Sequence, residues 1–139
     1  MIKKKKLVEG CFEKRPVILM YFQMSKVFFE LVIDIKPEMY PAINSLLGVT
    51  DAGKKGHWGY EIIVDDGPLE ISQPTVLLHF MNILEGRFQA LNEIGVQKSD
   101  MVIYMTYEYD DQCNMEFLPE ELLALGQNGI TLAVSCYQY

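Results

Sequence analysis

The sequence predicts an α+β domain in which helices pack on one mixed, mostly antiparallel sheet. Segments with strand-like alternation and segments with helical spacing follow one another along the chain, with short links between them. The strand segments alternate apolar with polar residues instead of being apolar throughout, which favours antiparallel pairing and one open face. We therefore expect four to five strands with two to three helices packed on them.

The first half of the domain is predicted as strand, helix and strand. Val27–Ile35 is apolar at every second residue, which is typical of a strand. Pro37 suits the first turn of the following helix, and Gly48 fits its C-terminal end. A loop rich in Gly and Lys, Asp51–Gly59, then leads into a second alternating strand, Trp58–Val64.

The second half begins with the clearest helix pattern in the chain. Across Ser72–Ile94, eight apolar residues form one continuous stripe at a period near 3.6. A third strand is predicted over Met101–Tyr109, a short helix over Pro119–Leu125 and a last strand over Ile130–Tyr139. Met115–Leu118 has the pattern of a short additional strand.

The first 23 residues differ from the rest of the chain in charge. They carry 6 basic and 2 acidic residues, whereas the chain from Met24 onward carries 6 basic and 17 acidic residues. We therefore interpret residues 1–23 as a basic N-terminal extension and residues 24–139 as a single α+β domain. A native basic arm, a start codon assigned upstream of Met24 and a cloning remnant all fit this extension, and we favour the second. Val17–Phe22 could add a strand.

Charge and cysteine spacing argue against several classes of protein. With 19 acidic and 12 basic residues, the chain lacks the basic surplus typical of nucleic-acid or anionic-membrane binding. Charges interrupt the segment after Lys3–Lys6, and Val17–Phe22 is far shorter than a membrane span of about 20 residues, so we expect neither export signal nor membrane anchor. The spacing of Cys11, Cys113 and Cys136 fits no zinc or redox motif, and we expect free thiols in a reducing cytoplasm.

Several short segments, taken in order, resemble a known family. They are Ile35-Lys36-Pro37-Glu38, Leu46-Leu47-Gly48-Val49, Lys55-Gly56, Trp58-x-Tyr60, the helix Leu77–Leu91, Phe117-x-Pro119 with the helix to Gly126, and Cys136-Tyr137. From about Val27 to Tyr139 the chain resembles the bacterial family catalogued as domain of unknown function 4279. That family has no established activity, so the resemblance implies the fold and leaves the function open. Similar members occur among proposed immunity and stress-related proteins, which implies a role of that kind.

An acidic segment next to tyrosines is the first candidate site. Six acids fall within fourteen residues: Glu108, Asp110, Asp111, Glu116, Glu120 and Glu121. Tyr107 and Tyr109 lie on the adjoining strand, and tyrosine is favoured in protein interfaces. We therefore predict a non-catalytic protein-binding module. A more specific form of this prediction is an immunity-type inhibitor whose acids attract a basic partner. The alternative is a solvated turn and helix start, where acids are common.

A different class of function would use a pocket between the long helix and the sheet. Lys55, His57 and Trp58 lie in the glycine-rich loop, and Arg87 falls inside the apolar stripe, where a charge must reach solvent or a partner. Such a pocket would serve a small-molecule binding protein or an enzyme. The sequence shows no recognisable catalytic set, metal-ligand spacing or cofactor motif, so we predict no catalytic residue, metal or cofactor. A purely structural domain or a self-associating one, such as a homodimer, is a third alternative.

Overall fold

The computed structural model describes residues 3–4, 21–22, 26–54, 56–64, 75–110 and 113–138. Its strands are β1 (Lys3–Lys4), β2 (Tyr21–Phe22), β3 (Lys26–Ile33), β4 (Trp58–Val64), β5 (Met101–Tyr109) and β6 (Thr131–Gln138). Four of them form one open sheet in the order β4-β3-β5-β6. β3 pairs antiparallel with β4 and β5, whereas β5 pairs parallel with β6, so the predicted mixed sheet is confirmed.

Four α-helices accompany this sheet in the described part of the chain. They are α1 (Tyr40–Leu47), α2 (Val76–Leu84), α3 (Phe88–Glu93) and α4 (Pro119–Asn128). A 3₁₀ turn at Pro37–Met39 precedes α1, so the helix itself begins three residues later than its first proline. The α+β class is confirmed, and the helix number exceeds the expected two to three because the long predicted helix is divided.

The division of the long helix lies at Glu85–Arg87. Gly86 has a φ of 73°, a left-handed conformation that glycine adopts without the steric cost other residues meet. Arg87 then donates from Nη1 to the carbonyl oxygen of Ile83 at 2.9 Å, which satisfies an acceptor at the end of α2. The sequence interpretation of Arg87 as a charge in the middle of one continuous stripe was therefore wrong.

The hydrophobic core lies between the four helices and one face of the sheet. Side chains alternate along a strand, so Leu31 and Ile33 face the helices while Glu30 faces the opposite side. Leu31, Trp58 and Phe80 are all fully buried in this core. The opposite face carries no helix in the described residues, which agrees with the single open face that the alternating pattern predicts.

Three further sequence expectations concern the chain's ends and links. Residues 113–118 form no strand, so the short additional strand expected at Met115–Leu118 was wrong. β1 pairs antiparallel with β2, outside the main sheet, and residues 17–20 lie outside the described residues. The division of the chain after residue 23 stays a prediction.

Within the described residues, we find no helix with both the length and the apolar character needed to cross a bilayer.

Candidate functional site

Four ionisable side chains meet on the open face of the sheet, and we call them the polar cluster: Glu30, Lys54, His57 and Glu61. Glu30 on β3 and Glu61 on β4 are direct cross-strand partners. The Nζ atom of Lys54 lies 2.6 Å from Oε2 of Glu61 and 3.2 Å from Oε2 of Glu30. Nε2 of His57 lies 3.1 Å from Oε1 of Glu30. The strand register therefore creates the cluster, and the loop before β4 completes it.

Lys54 compensates an unfavourable pair of like charges. Two carboxylates directly opposite each other destabilise a pair of strands unless a cation lies between them. The hydrogen bond to Glu61 raises the pKa of Lys54 above its ordinary value of 10.5, and Glu30 adds to this rise while partial burial opposes it. Lys54 therefore remains an ammonium group at neutral pH, which suits an ion pair and does not suit a nucleophile.

A depression of about 290 Å³ lies beside this cluster on the open face. Its walls are formed by Phe28, Glu30, Lys54, Glu61, Tyr104 and Thr106. Gly59 leaves room for the carboxylate of Glu30, because a Cβ at that position would collide with it. Since Lys54 already binds both carboxylates, the geometry is that of a closed ion-pair cluster that fastens a loop to the sheet.

The same loop is held on the other face of the sheet by Asn44 of α1. Oδ1 of Asn44 accepts from Nε1 of the buried Trp58 at 2.8 Å and from the backbone N–H of Asp51 at 3.2 Å. Nδ2 of Asn44 donates to Oδ1 of Asp51 at 3.1 Å. Sequence reasoning missed Asn44, although one signal was present: a core Trp carries an N–H that needs an acceptor.

The β6 edge of the sheet differs from the polar cluster because apolar side chains are exposed there. We call α4, β6 and residues 113–118 the C-terminal surface. Five of the seven large apolar side chains that are exposed in the described residues belong to it: Leu118, Leu122, Leu123, Val134 and Tyr137. β6 is an edge strand that contains neither a charged residue nor a proline. Residues 99–139 hold seven acids and no Lys, Arg or His. This surface is therefore apolar in part and has no positive charge of its own.

The acids and tyrosines of the predicted partner site are separated by the fold. Glu120 is exposed in the first turn of α4 and Glu116 is exposed before the helix begins, whereas Glu108 is half-buried on the open face of the sheet. Asp110 is half-buried, and its carbonyl oxygen accepts from Nε2 of Gln138 at 3.2 Å. Asp111 lies outside the described residues. Of the exposed acids in this set, Glu116 and Glu120 therefore lie close to the exposed leucines along the chain.

Tyr107 and Tyr109 lie on the helix side of β5, opposite to Glu108. Their ring centroids are 6.4 Å apart, and both side chains are half-buried. Alternation along β5 places them on the same side of the sheet as the buried Met105. They do not form one continuous surface with Glu108.

Glu121 does not belong to a partner surface, because it is only 5% exposed. Its Oε2 accepts from the backbone N–H of Leu118 at 2.7 Å, which caps the N-terminus of α4. We expect Glu121→Ala to lower the free energy of unfolding by about 1 kcal/mol, measured by urea titration. The exposed neighbour provides the control, since Glu120→Ala should change stability by less than about 0.5 kcal/mol. Equal effects of the two substitutions would contradict this role.

The residues of the predicted ligand pocket are not brought together. His57 contacts Glu30 on the open face, Trp58 is buried under the helices, and Arg87 caps the end of α2. Lys55 lies outside the described residues. A second depression, of about 280 Å³, adjoins α3, and its described lining includes none of His57, Trp58 and Arg87. In the described ranges, no three His, Cys, Asp or Glu side chains are grouped so that they could hold a metal ion.

Comparison with known proteins identifies no relative of this chain. No protein-family model, no curated protein and no solved structure matches the chain. The resemblance to the family of domain of unknown function 4279 therefore stays a prediction from sequence. The function has to be argued from the charges, exposed side chains and strand edges of the molecule itself.

Proposed function

We propose that this chain is a non-catalytic protein-binding domain whose C-terminal surface binds a basic protein. The observation that carries the proposal is the combination of exposed leucines with acids that have no basic neighbours along the chain. Leu122 is 51% and Leu123 is 59% exposed, and Glu116 and Glu120 are exposed just before them. Apolar side chains within a polar border are typical of protein interfaces.

The apolar part of this surface would supply the affinity. Full burial of one leucine side chain stabilises a complex by about 1.5–3 kcal/mol, so two leucines of α4 could act as an interface centre. The buried face of α4 already holds Glu121 and Leu125, which leaves Leu122 and Leu123 without a place in the core. Their exposure is explained if a partner covers them.

The charge of the surface would select the partner. Exposed acids without basic neighbours produce a negative potential, which speeds association with a positively charged surface and disfavours acidic proteins. The proposal extends to a cytoplasmic, immunity-type inhibitor of a basic protein, and the family resemblance supports this finer part. A second copy of the chain fits less well, since each copy has a net charge of −7 and would repel the other.

The test compares two variants that each lose exposed apolar area. Proteins captured from source cells by the full chain are quantified against Leu122→Ser/Leu123→Ser and against Ile63→Ser, which changes a 47% exposed residue on β4. The amount of a specific partner that is recovered should fall at least tenfold with the first variant and stay unchanged with the second. With that purified partner, affinity should fall as salt rises and also fall for Glu116→Lys/Glu120→Lys.

Three results would count against this proposal. They are recovery of no partner by the unmodified chain, equal recovery by the two serine variants, and a complex whose affinity does not depend on salt. Light scattering on the unmodified chain tests the homodimer separately, because a mass that doubles with concentration would show that a second copy of the chain binds.

A further inference from the structure

Two cysteine thiols lie in contact at the edge of the sheet. The Sγ atoms of Cys113 and Cys136 are 3.4 Å apart, and both cysteines are free. A disulfide has an S–S distance of about 2.05 Å, so the two sulfur atoms need an approach of about 1.4 Å to form one. Sequence spacing alone gave no sign of this pair, because 23 positions separate the two residues.

The fold brings the two thiols together in a definite way. Cys136 lies on the edge strand β6, in register with Tyr107 of β5. After β5 the chain passes through α4 and then runs along β6, parallel to β5. Near the end of β6, Nε2 of Gln138 donates to the carbonyl oxygen of Asp110 at 3.2 Å. A second contact therefore holds the same segment against β6. The thiol contact encloses α4 within one loop of the chain.

We propose that Cys113 and Cys136 form a redox modification site that a low-molecular-weight disulfide converts into one intramolecular disulfide. The Cys136 thiolate attacks one sulfur of the small disulfide, forms a mixed disulfide and releases one small thiolate. Cys113 gives its proton to solvent and attacks the sulfur of Cys136, which releases the second small thiolate. The two cysteines are oxidised, and the small disulfide is reduced to two thiols.

The environments of the two cysteines set this order of attack. Cys136 is exposed on β6, so a small disulfide can reach it, whereas Cys113 is half-buried. Partial burial raises the pKa of the Cys113 thiol, and its hydrogen bond to Cys136 raises the pKa further. A protonated thiol is a poor nucleophile, so Cys113 suits the second step, in which the target sulfur is already beside it.

Closure would change stability and would leave the fold as it is. A disulfide across this loop restricts the unfolded chain, and for a loop of this length the melting temperature is expected to rise by about 10 °C. The bond would also fix residues 113–118 against β6. The site goes beyond the proposed partner binding and does not depend on it.

The test treats the full chain with defined mixtures of oxidised and reduced glutathione. After closure, the mass should fall by two hydrogen atoms, and peptide mapping should join Cys113 to Cys136. The melting temperature should rise by about 10 °C and return to its starting value with dithiothreitol in the same sample. The experiment is repeated in a Cys11→Ser background, since Cys11 lies outside the described residues and its thiol could compete.

Control variants separate a built site from general thiol reactivity. Cys113→Ser should stop at a stable glutathione adduct on Cys136. Moving the thiol to the opposite face of β6, with Cys136→Ser and Ser135→Cys together, should prevent closure while keeping a reactive cysteine. A stable glutathione adduct on the unmodified pair, a disulfide through Cys11, or equal closure of the moved thiol would overturn the proposal. Because the unmodified chain is compared with itself after reduction, misfolding of a variant does not remove the test.

Discussion

Asn44→Ala is expected to lower the free energy of unfolding by about 2–3 kcal/mol, although alanine favours helices more than asparagine does. The substitution leaves the indole N–H of Trp58, a fully buried residue, without its acceptor at 2.8 Å. It also removes both hydrogen bonds to Asp51. An unpaired buried donor costs about 1–3 kcal/mol, which outweighs a gain of about 0.5 kcal/mol in helix propensity.

The measurement can use Trp58 itself, since it is the chain's one tryptophan and is fully buried. Its fluorescence during urea unfolding reports stability directly, and we expect its emission in the folded variant to change when the N–H loses its acceptor. Asn82→Ala is the matched control, because Asn82 is exposed on α2 and only the propensity gain should remain there. The two substitutions should thus have opposite signs. If Asn44→Ala also stabilises the protein, the hydrogen bonds to Asn44 do not hold the loop.

Asn44 and Lys54 together explain how the loop before β4, which the sequence suggests as part of a ligand pocket, is held in place. Asn44 holds the loop before β4 on the helix side of the sheet, and Lys54 holds it on the open side. The backbone N–H of Ala52 also donates to the carbonyl oxygen of Gly59 at 2.7 Å, which covers part of the free edge of β4. Edge strands need such protection, and β6 has less of it. This asymmetry supports the proposal that the binding surface lies at the β6 end.

Strands were predicted well from sequence because their pattern has a period of two and their ends carry strong turn residues. Trp58–Val64 was placed with the bounds that the structure shows. The long helix was harder, since its apolar stripe continues through Gly86 without a change of period. The chain turns at Gly86, where φ is 73°. The spacing of apolar residues carries no information about this backbone angle, so the turn is seen only in the structure.

The candidate sites were predicted less well because they depend on long-range register. Glu30 and Glu61 are 31 positions apart, and only the pairing of β3 with β4 makes them neighbours. Glu120 and Glu121 are adjacent in sequence, yet one is exposed and the other is 5% exposed. A count of acids cannot separate these roles, since each depends on which face of α4 meets the core.

Lys54→Met is expected to lower the free energy of unfolding by about 1–2 kcal/mol at neutral pH, because it leaves two facing carboxylates without their cation. Glu30 is 16% and Glu61 is 26% exposed, so water can solvate them only in part. The expected loss is modest because Lys54 itself is 41% exposed and solvent weakens its ion pairs. Lys36→Met, at an exposed lysine, is the control and should be nearly neutral.

The pH dependence of the stability lost in Lys54→Met distinguishes the contribution of the Lys54 charge from that of packing by its aliphatic stem. The pKa of Lys54 is raised in the folded state above its ordinary value of 10.5, so its charge stabilises the fold fully below that pH. From neutral pH up to about pH 10, the stability difference between the unmodified chain and Lys54→Met should therefore be constant, and it should decline as pH rises through the folded pKa. Tyrosines that ionise in this range are common to both proteins, so their effect cancels. Lys54→Arg should retain its stability to higher pH, since guanidinium stays protonated. A difference that persists unchanged at high pH would assign the role of Lys54 to its aliphatic stem.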